Sequence, residues 1–375
     1  MTLNRREVLV GAGGTLVALT VPRWALGHTE GRARFLGSAR APDENFIAAL
    51  LDKDGGVLAS AELPARGHGF ALRPNQPEFV VFARRPGTYA MVLGGWDLNI
   101  GRTIHSNKQR HFYGHGCFSE DGALLFASEN DYDNAKGIIG VYDANDNYRR
   151  IGEFDSGGIG PHEIRLMRDG KHLAVANGGI RTHPDYGRAK LNLAEMRPNF
   201  SILKIETGVL TNQIRFKEVN RQLSIRHLDI NHQNVVALAM QNEGGRTRNW
   251  PLAAFVSPDG LLQFLRAPET IETAMRHYTG SIRFDGTGRY VAVTCPRGGL
   301  TVVWDVSTAE LVGSVAAPDS SSVSPADEPG SFLIAGSDGK FRRASRERFA
   351  YDMKVIRKSG YAWDNHFSEF AQREY

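Results

Sequence analysis

Cysteine is nearly absent: Cys117 and Cys295 are the two in 375 residues, which excludes a fold held by a disulfide framework. Past the N-terminal 27 residues no apolar run is long enough to cross a bilayer. Neither sign of charge dominates, with Lys+Arg 45 against Asp+Glu 41, and the basic residues are scattered without a known reader motif, so nucleic acid binding is not indicated. No low-complexity stretch or linker interrupts the chain. There is no G-x-S-x-G elbow, no catalytic Cys pattern, no H-E-x-x-H and no phosphate loop, and the GAGG of Gly11 to Gly14 sits in the N-terminal apolar segment. Covalent catalysis therefore has no support.

What is present is glycine, 41 residues of it, beside 41% hydrophobic residues, the composition of many short strands joined by tight turns. HFYGHGCFSEDGALLFASEND, His111 to Asp131, shows the unit: an apolar run carrying a His, an acidic-Gly turn at Glu120 to Gly122, and a second apolar run ending in a polar loop. GIIGVYDAN and YRRIGEFDSGG supply two more strands, giving four in about 45 residues, the size of one propeller blade. Copies of its first strand begin at Arg66, Tyr113, Gly160, Ile225, Tyr278, Asp319 and Asp364. The last copy has no room behind it for three strands, and Arg34 to Pro64 matches the missing part. The chain is expected to be an all-β, seven-bladed β-propeller whose last blade combines three N-terminal strands with one C-terminal strand, which removes the open sheet edge. Cys117 and Cys295 fall in blades two and five, too far apart to bridge, and are expected as free thiols.

Residues 1–27 read as a twin-arginine signal peptide: Arg5-Arg6 lead into an apolar, Gly-rich run from Val10 to Val21, with a small-residue cleavage site at Ala25-Leu26-Gly27. The mature protein would begin near His28 as a single propeller domain, 28–375, in the periplasm, with no membrane span after signal cleavage.

The third position of the seven first strands reads His68, His115, His162, His227, Gly280, Ser321 and His366. First strands line the axis of a propeller, and the loops after second strands return to the face where first strands begin. One mouth therefore gathers five His with the polar loops that hold Arg84, Arg85, Glu129, Asp131, Asn177, Arg181, His183, Asp185, Arg188, Glu243 and Arg297, while Glu163 follows His162 directly. The longest of these loops, Asn177 to Pro198, carries apolar anchors at Ile180, Leu191, Leu193 and Met196, which argue for an ordered insertion. Five imidazoles around one axis cannot all be charged, so a bound metal or an anionic ligand is favoured. In the metal reading His68, His115, His162, His227 and His366 are ligands and Glu163, Glu129 or Asp131 orients or completes the shell, with Fe, Cu or Zn as candidate ions. A competing reading takes one His as general base beside a carboxylate, with an Arg holding an anionic substrate. Another makes each His a brace between blades.

RGHG at Arg66, FARRPGT at Phe82, HFYGHG at His111, ASEND at Ala127, GGIGPHE at Gly157, VANGGIRTHPDYGRAKLN at Val175, LSIRHL at Leu223 and PRGG at Pro296 together resemble the bacterial, Tat-exported family of domain of unknown function 1513. The resemblance covers essentially all of the chain after the signal; QNEGG at Gln241 departs from it, because a Tyr is expected near Asn242. It implies a periplasmic propeller of unknown activity. Association with imelysin-type iron-uptake proteins, also implied by the resemblance, points to an accessory of iron acquisition. The repeat PHEIRLMRDGKHLAVANGG is also similar to lactonase-type propellers of WD40/YVTN-like repeats, where an axial His and acids line the active mouth, which makes a hydrolase the second expectation and a protein-interaction scaffold the third.

Overall fold

A computed structural model describes residues 32–347 and 350–370. The signal peptide assigned to residues 1–27 lies outside them. Seven four-stranded antiparallel sheets form the ring of a seven-bladed β-propeller. The inner strands are Gly67–Leu72, Arg110–Phe118, Pro161–Leu166, Leu223–Ile230, Ser281–Phe284, Ser320–Pro325 and Ala362–Glu369, in blades one to seven. The last pairs with Phe35–Arg40, which continues through Phe46–Leu51 to Val57–Leu63, so the seventh blade is shared by the two ends of the chain as the repeat pattern requires.

Each sheet is apolar on both faces because each is covered by two neighbours. Along Phe46–Leu51 the pleat alternates: Ala48 and Leu50 pack with Phe79, Val81 and Leu93 of blade one, while Ile47, Ala49 and Leu51 pack with Leu333, Ala335 and Phe341 of blade six. Apolar layers of this kind lie between all successive blades. The two ends of the chain are also tied by polar contacts, Arg66 to Asp364 and the Ser368 hydroxyl to the Phe70 carbonyl at 3.3 Å. Both cysteines are free, as expected, and burial pushes the Cys117 thiol up to about 12, so it is inert as a nucleophile. Among the described residues no helix is long and apolar enough to cross a membrane.

The inner strands do not run regularly. Each of the five that carries a candidate His breaks its pairing register beside it, between Gly67 and Phe70, Phe112 and Gly116, Pro161 and Glu163, Ile225 and His227, and opposite Gly37 and Ala39 in blade seven. A bulge re-aims a side chain out of the sheet, here toward the axis. Gly114 makes one of these turns possible. Its φ is +100°, and a Cβ there would lie 2.7 Å from His68 Cδ2, so only glycine lets blades one and two bring their imidazoles together. We expect Gly114→Ala to cost about 1–3 kcal/mol through backbone strain alone, read as a lower urea midpoint with an unchanged slope.

Candidate functional site

The bulges deliver His68, His115, His162, His227 and His366 to one point on the axis. Neighbouring ring centroids are 4.4 Å apart for His227 and His366, 4.7 Å for His68 and His366, 4.8 Å for His68 and His115 and for His162 and His227, and 5.3 Å for His115 and His162. Blades five and six contribute no ring. Their positions hold Gly280 and Ser321, and Arg283 of blade five reaches in instead.

Two carboxylates grip the cluster from below and from the side. Glu163 is buried, accepts from the His227 Nδ1 at 3.0 Å and the Leu228 amide at 3.3 Å, and pairs with Arg165 at 3.1 Å and Arg283 at 3.7 Å. Burial works to raise its pKa, but Arg165, His115, Arg283 and the His227 bond outweigh it and hold the carboxyl well below its usual range. Asp364, also buried, faces the His68 Nδ1 at 3.5 Å and is bonded by Arg66, whose combined effect likewise overcomes burial and keeps it ionised. With a carboxylate on Nδ1 of His227, that nitrogen carries the proton and Nε2 presents its lone pair elsewhere, as in a carboxylate-oriented metal ligand.

His115, His162, His227 and His366 are neutral at physiological pH. Burial, reinforced by the neighbouring imidazoles, lowers His115, His162 and His366 well below the ordinary value, and burial brings His227 down to about 4 despite Glu163. Several nitrogens have nothing to bond: His115 Nε2, His162 Nδ1, and both nitrogens of His366 are buried without a partner. An unpaired buried polar group costs about 1–3 kcal/mol, so four in one place mark a site built for something other than packing. By contrast His111, another buried histidine, is fully satisfied, with Nδ1 2.9 Å from the Phe112 carbonyl and Nε2 3.0 Å from the Asn130 amide, and its role is structural.

Donor nitrogens of His68, His115 and His162 lie within 4.8 Å of one another, and so do those of His115, His227 and His366. A tetrahedral ion with metal–nitrogen bonds of about 2.0–2.1 Å needs donors about 3.4 Å apart. Each donor would have to move inward by at most about 0.8 Å, within reach of a small χ rotation. The residues present therefore fit a transition metal, and His115 belongs to both triads.

The two sides of the cluster differ. On the face where inner strands end, a cavity of about 880 Å³ has His115, His366 and Glu163 at its floor, with Arg165, Asp229 and Arg283 around them and Glu369, Asp327, Glu328 and Asp285 toward its rim. Burial raises Glu369 to about 7, although Arg34 sits 3.0 Å away. The opposite face, where inner strands begin, is the one the sequence pointed to. There the structure gathers Arg84, Arg85 and Arg188, whose charges act on one another, with Arg226 and Arg66.

The other polar residues expected at that mouth are divided among separate tasks. Glu129 lies on the sheet face of blade two, bonded to the Tyr142 hydroxyl at 2.6 Å and to Arg150 at 3.1 Å, and Asp131 holds the Asn134 amide at 2.9 Å; neither reaches the imidazoles. Asn177 is bonded to Ser156 and Asn199 between blades two and three. The insertion is ordered, as its apolar anchors suggest: Leu191 bonds back to Arg181, and His183 is tied to Asp133 at 3.1 Å and to the Asp185 amide. Glu243 pairs with Lys190 and, at 3.6 Å, with Arg226. Arg297 is exposed over the Tyr278 ring at 4.1 Å. Missed from sequence were Arg165, Arg226, Asp229, Arg283 and Asp364, although a charged residue inside an axial strand was a visible signal for each.

These features define a seven-bladed propeller with a buried histidine cluster on its axis. The model of the family described as "protein of unknown function (DUF1513)" matches residues 61–370, and the chain belongs to that family. No curated protein matches it. Among solved structures it is similar to the hydrazine synthase of Kuenenia stuttgartiensis, at 12% identity and TM-score 0.60 over 79% of this chain and 90% of that one. It is also similar to a chain of a mitotic checkpoint complex, at 9% identity and TM-score 0.57 over 77% of this chain and 76% of that one. Likenesses at such identity reflect the shared propeller fold.

Proposed function

We propose that the chain is a periplasmic metal-binding propeller serving metal acquisition, in which the axial imidazoles hold one first-row transition ion, with iron, copper and zinc as candidates. The observation that carries this reading is the set of unpartnered buried nitrogens on His115, His162 and His366, converging with carboxylate-oriented His227. Lowered imidazole pKa values favour it further, because neutral rings release no proton on binding. Imidazole donors suit these ions, and the cavity above Glu163 and Asp229 offers a cation a path lined by carboxylates. The periplasmic setting rests on the Arg5-Arg6 leader pattern, and imelysin-type uptake proteins are the partners this reading implies.

The test is elemental analysis of protein purified from the periplasm, with titration of Zn²⁺, Cu²⁺ and Fe²⁺ into the metal-free form. About one ion per chain is expected. His115→Ala should abolish it, since both triads lose a member, while His172→Ala, on an exposed ring paired with Asp169, should leave it intact. A folded wild-type protein that takes up none of the three ions would refute the proposal.

A further inference from the structure

Several guanidiniums elsewhere in this protein are well supplied with acceptors. Arg73 bonds the Gly122 carbonyl, Glu78 and Asn145, Arg165 pairs with Glu163 and Asp229, and Arg342 pairs with Asp338. The face where the inner strands begin breaks this pattern. Arg226 stands at the bulge of its strand beside His227, with its side chain 8% exposed, its Nε buried without a partner, and its nearest carboxylate, Glu243, at 3.6 Å and already bonded by Lys190. Arg85, half-buried on the loop after the second strand of blade one, and its neighbour Arg84 make no side-chain hydrogen bond or ion pair among the described residues. The insertion of blade three adds Arg188 from above.

Cations brought together in this way repel one another. Burial, followed by the charges of Arg226, Arg188 and Arg84, lowers Arg85 to about 10, and Arg84 is lowered by burial and by Arg66. Desolvating guanidiniums with so little counter-charge is unfavourable, and the usual resolution is a bidentate oxyanion. The cluster also adjoins the imidazoles, because the charge of Arg226 contributes to keeping His162 neutral.

We propose that this mouth is an oxyanion-binding site, in which Arg85 and Arg226 grip, and Arg84 and Arg188 surround, a small multivalent anion bearing carboxylate or phosphate groups. Carboxylate and phosphate offer the same paired oxygens to a guanidinium, so the ligand comes from one of two sources, a polycarboxylate or a phosphate compound. The site stands on the arginines alone and does not depend on a metal at the histidines.

Calorimetric titration of citrate and, separately, of inorganic phosphate into the metal-free protein at neutral pH and low salt tests it. Wild type is expected to bind at least one of them, more weakly as salt is raised. Arg85→Gln and Arg226→Gln should each weaken binding at least tenfold, and Arg85→Lys should restore part of it. Arg168→Gln, on the opposite face with its guanidinium on the Ile230 carbonyl, should bind as wild type. Citrate alone identifies the polycarboxylate source, phosphate alone the phosphate source, and either supports the site. Absence of binding by both at millimolar concentration, or unchanged binding in Arg85→Gln, overturns it. Arg85 lies on a partly exposed loop, so that variant remains informative should Arg226→Gln fail to fold. Metal content measured on the same Arg85→Gln preparation is expected to match wild type, which separates this site from the histidine cluster.

Discussion

Metal-free protein carrying Glu163→Ala is expected to be about 3–5 kcal/mol less stable than wild type, the usual cost of breaking a buried ion pair from one side. The variant loses no large apolar area. It strands Arg165, Arg283 and His227, three groups that share this one carboxylate: Arg283 is 7% exposed and has no nearer carboxylate, and the His227 Nδ1 proton would face no acceptor. Arg165 retains Asp229 at 3.2 Å, which keeps the loss from being larger. Urea denaturation in the presence of a chelator measures the difference. A loss below about 1 kcal/mol would mean that the stranded groups relax to water through the cavity, and that Glu163 does not organise the cluster. Glu163→Gln should fall between the two, since it preserves an acceptor while removing the charge.

Acid is expected to begin unfolding the metal-free protein above the pH at which carboxylates titrate. His115, His162, His227, His366 and His111 are all lowered in the folded state, His227 and His111 to about 4. Below about pH 6.5 the unfolded chain takes up protons at these positions and the folded protein does not, so each group removes about 1.4 kcal/mol per pH unit until its folded pKa is reached. Glu369 works in the opposite direction: raised to about 7, its contribution is complete below its unfolded value near 4.5 and is lost as pH rises toward 7. One opposing group does not offset five. Against a total stability of about 5–15 kcal/mol, the transition should fall between pH 6.5 and 4. Glu163 and Asp364 add a further loss only below their ordinary range, since both are held down in the fold. Circular dichroism against pH checks this, and replacing His111 with Gln should move the midpoint to lower pH. A flat stability between pH 7 and 5 would show that the axial rings take up protons in the folded protein as readily as in the unfolded chain.

The ring and its closure were legible because a propeller announces itself by repetition. Four strands per unit, an acidic-Gly turn at a fixed place, and a displaced three-strand remnant from Arg34 to Pro64 leave few other arrangements. Convergence of the five His was legible for the same reason, since one repeat position maps to one place on the axis. The division of labour among the loop residues was not. Glu129, Asp131 and Asn177 are polar because the loops and sheet faces of blades two and three need internal acceptors, and a ligand site would demand the same residue types. The cavity on the face where inner strands end was not legible because its walls come from turns such as Asp285 to Gly288, whose composition is fully explained by turn geometry. The register breaks that aim the rings inward are invisible in a strand pattern, though the glycines flanking His68 and His115 mark two of them.

The seventh blade takes its inner strand from the far end of the chain, and that strand carries both His366 and Asp364. A ribosome therefore delivers the last imidazole and the carboxylate beside His68 only after every other blade has been made. Until then four imidazoles stand in an unsealed arc whose exposed edge is Phe35–Arg40. Synthesis of this strand, closure of the ring and assembly of the axial cluster are thus a single event, and a fragment lacking it would have neither a sealed fold nor a whole site.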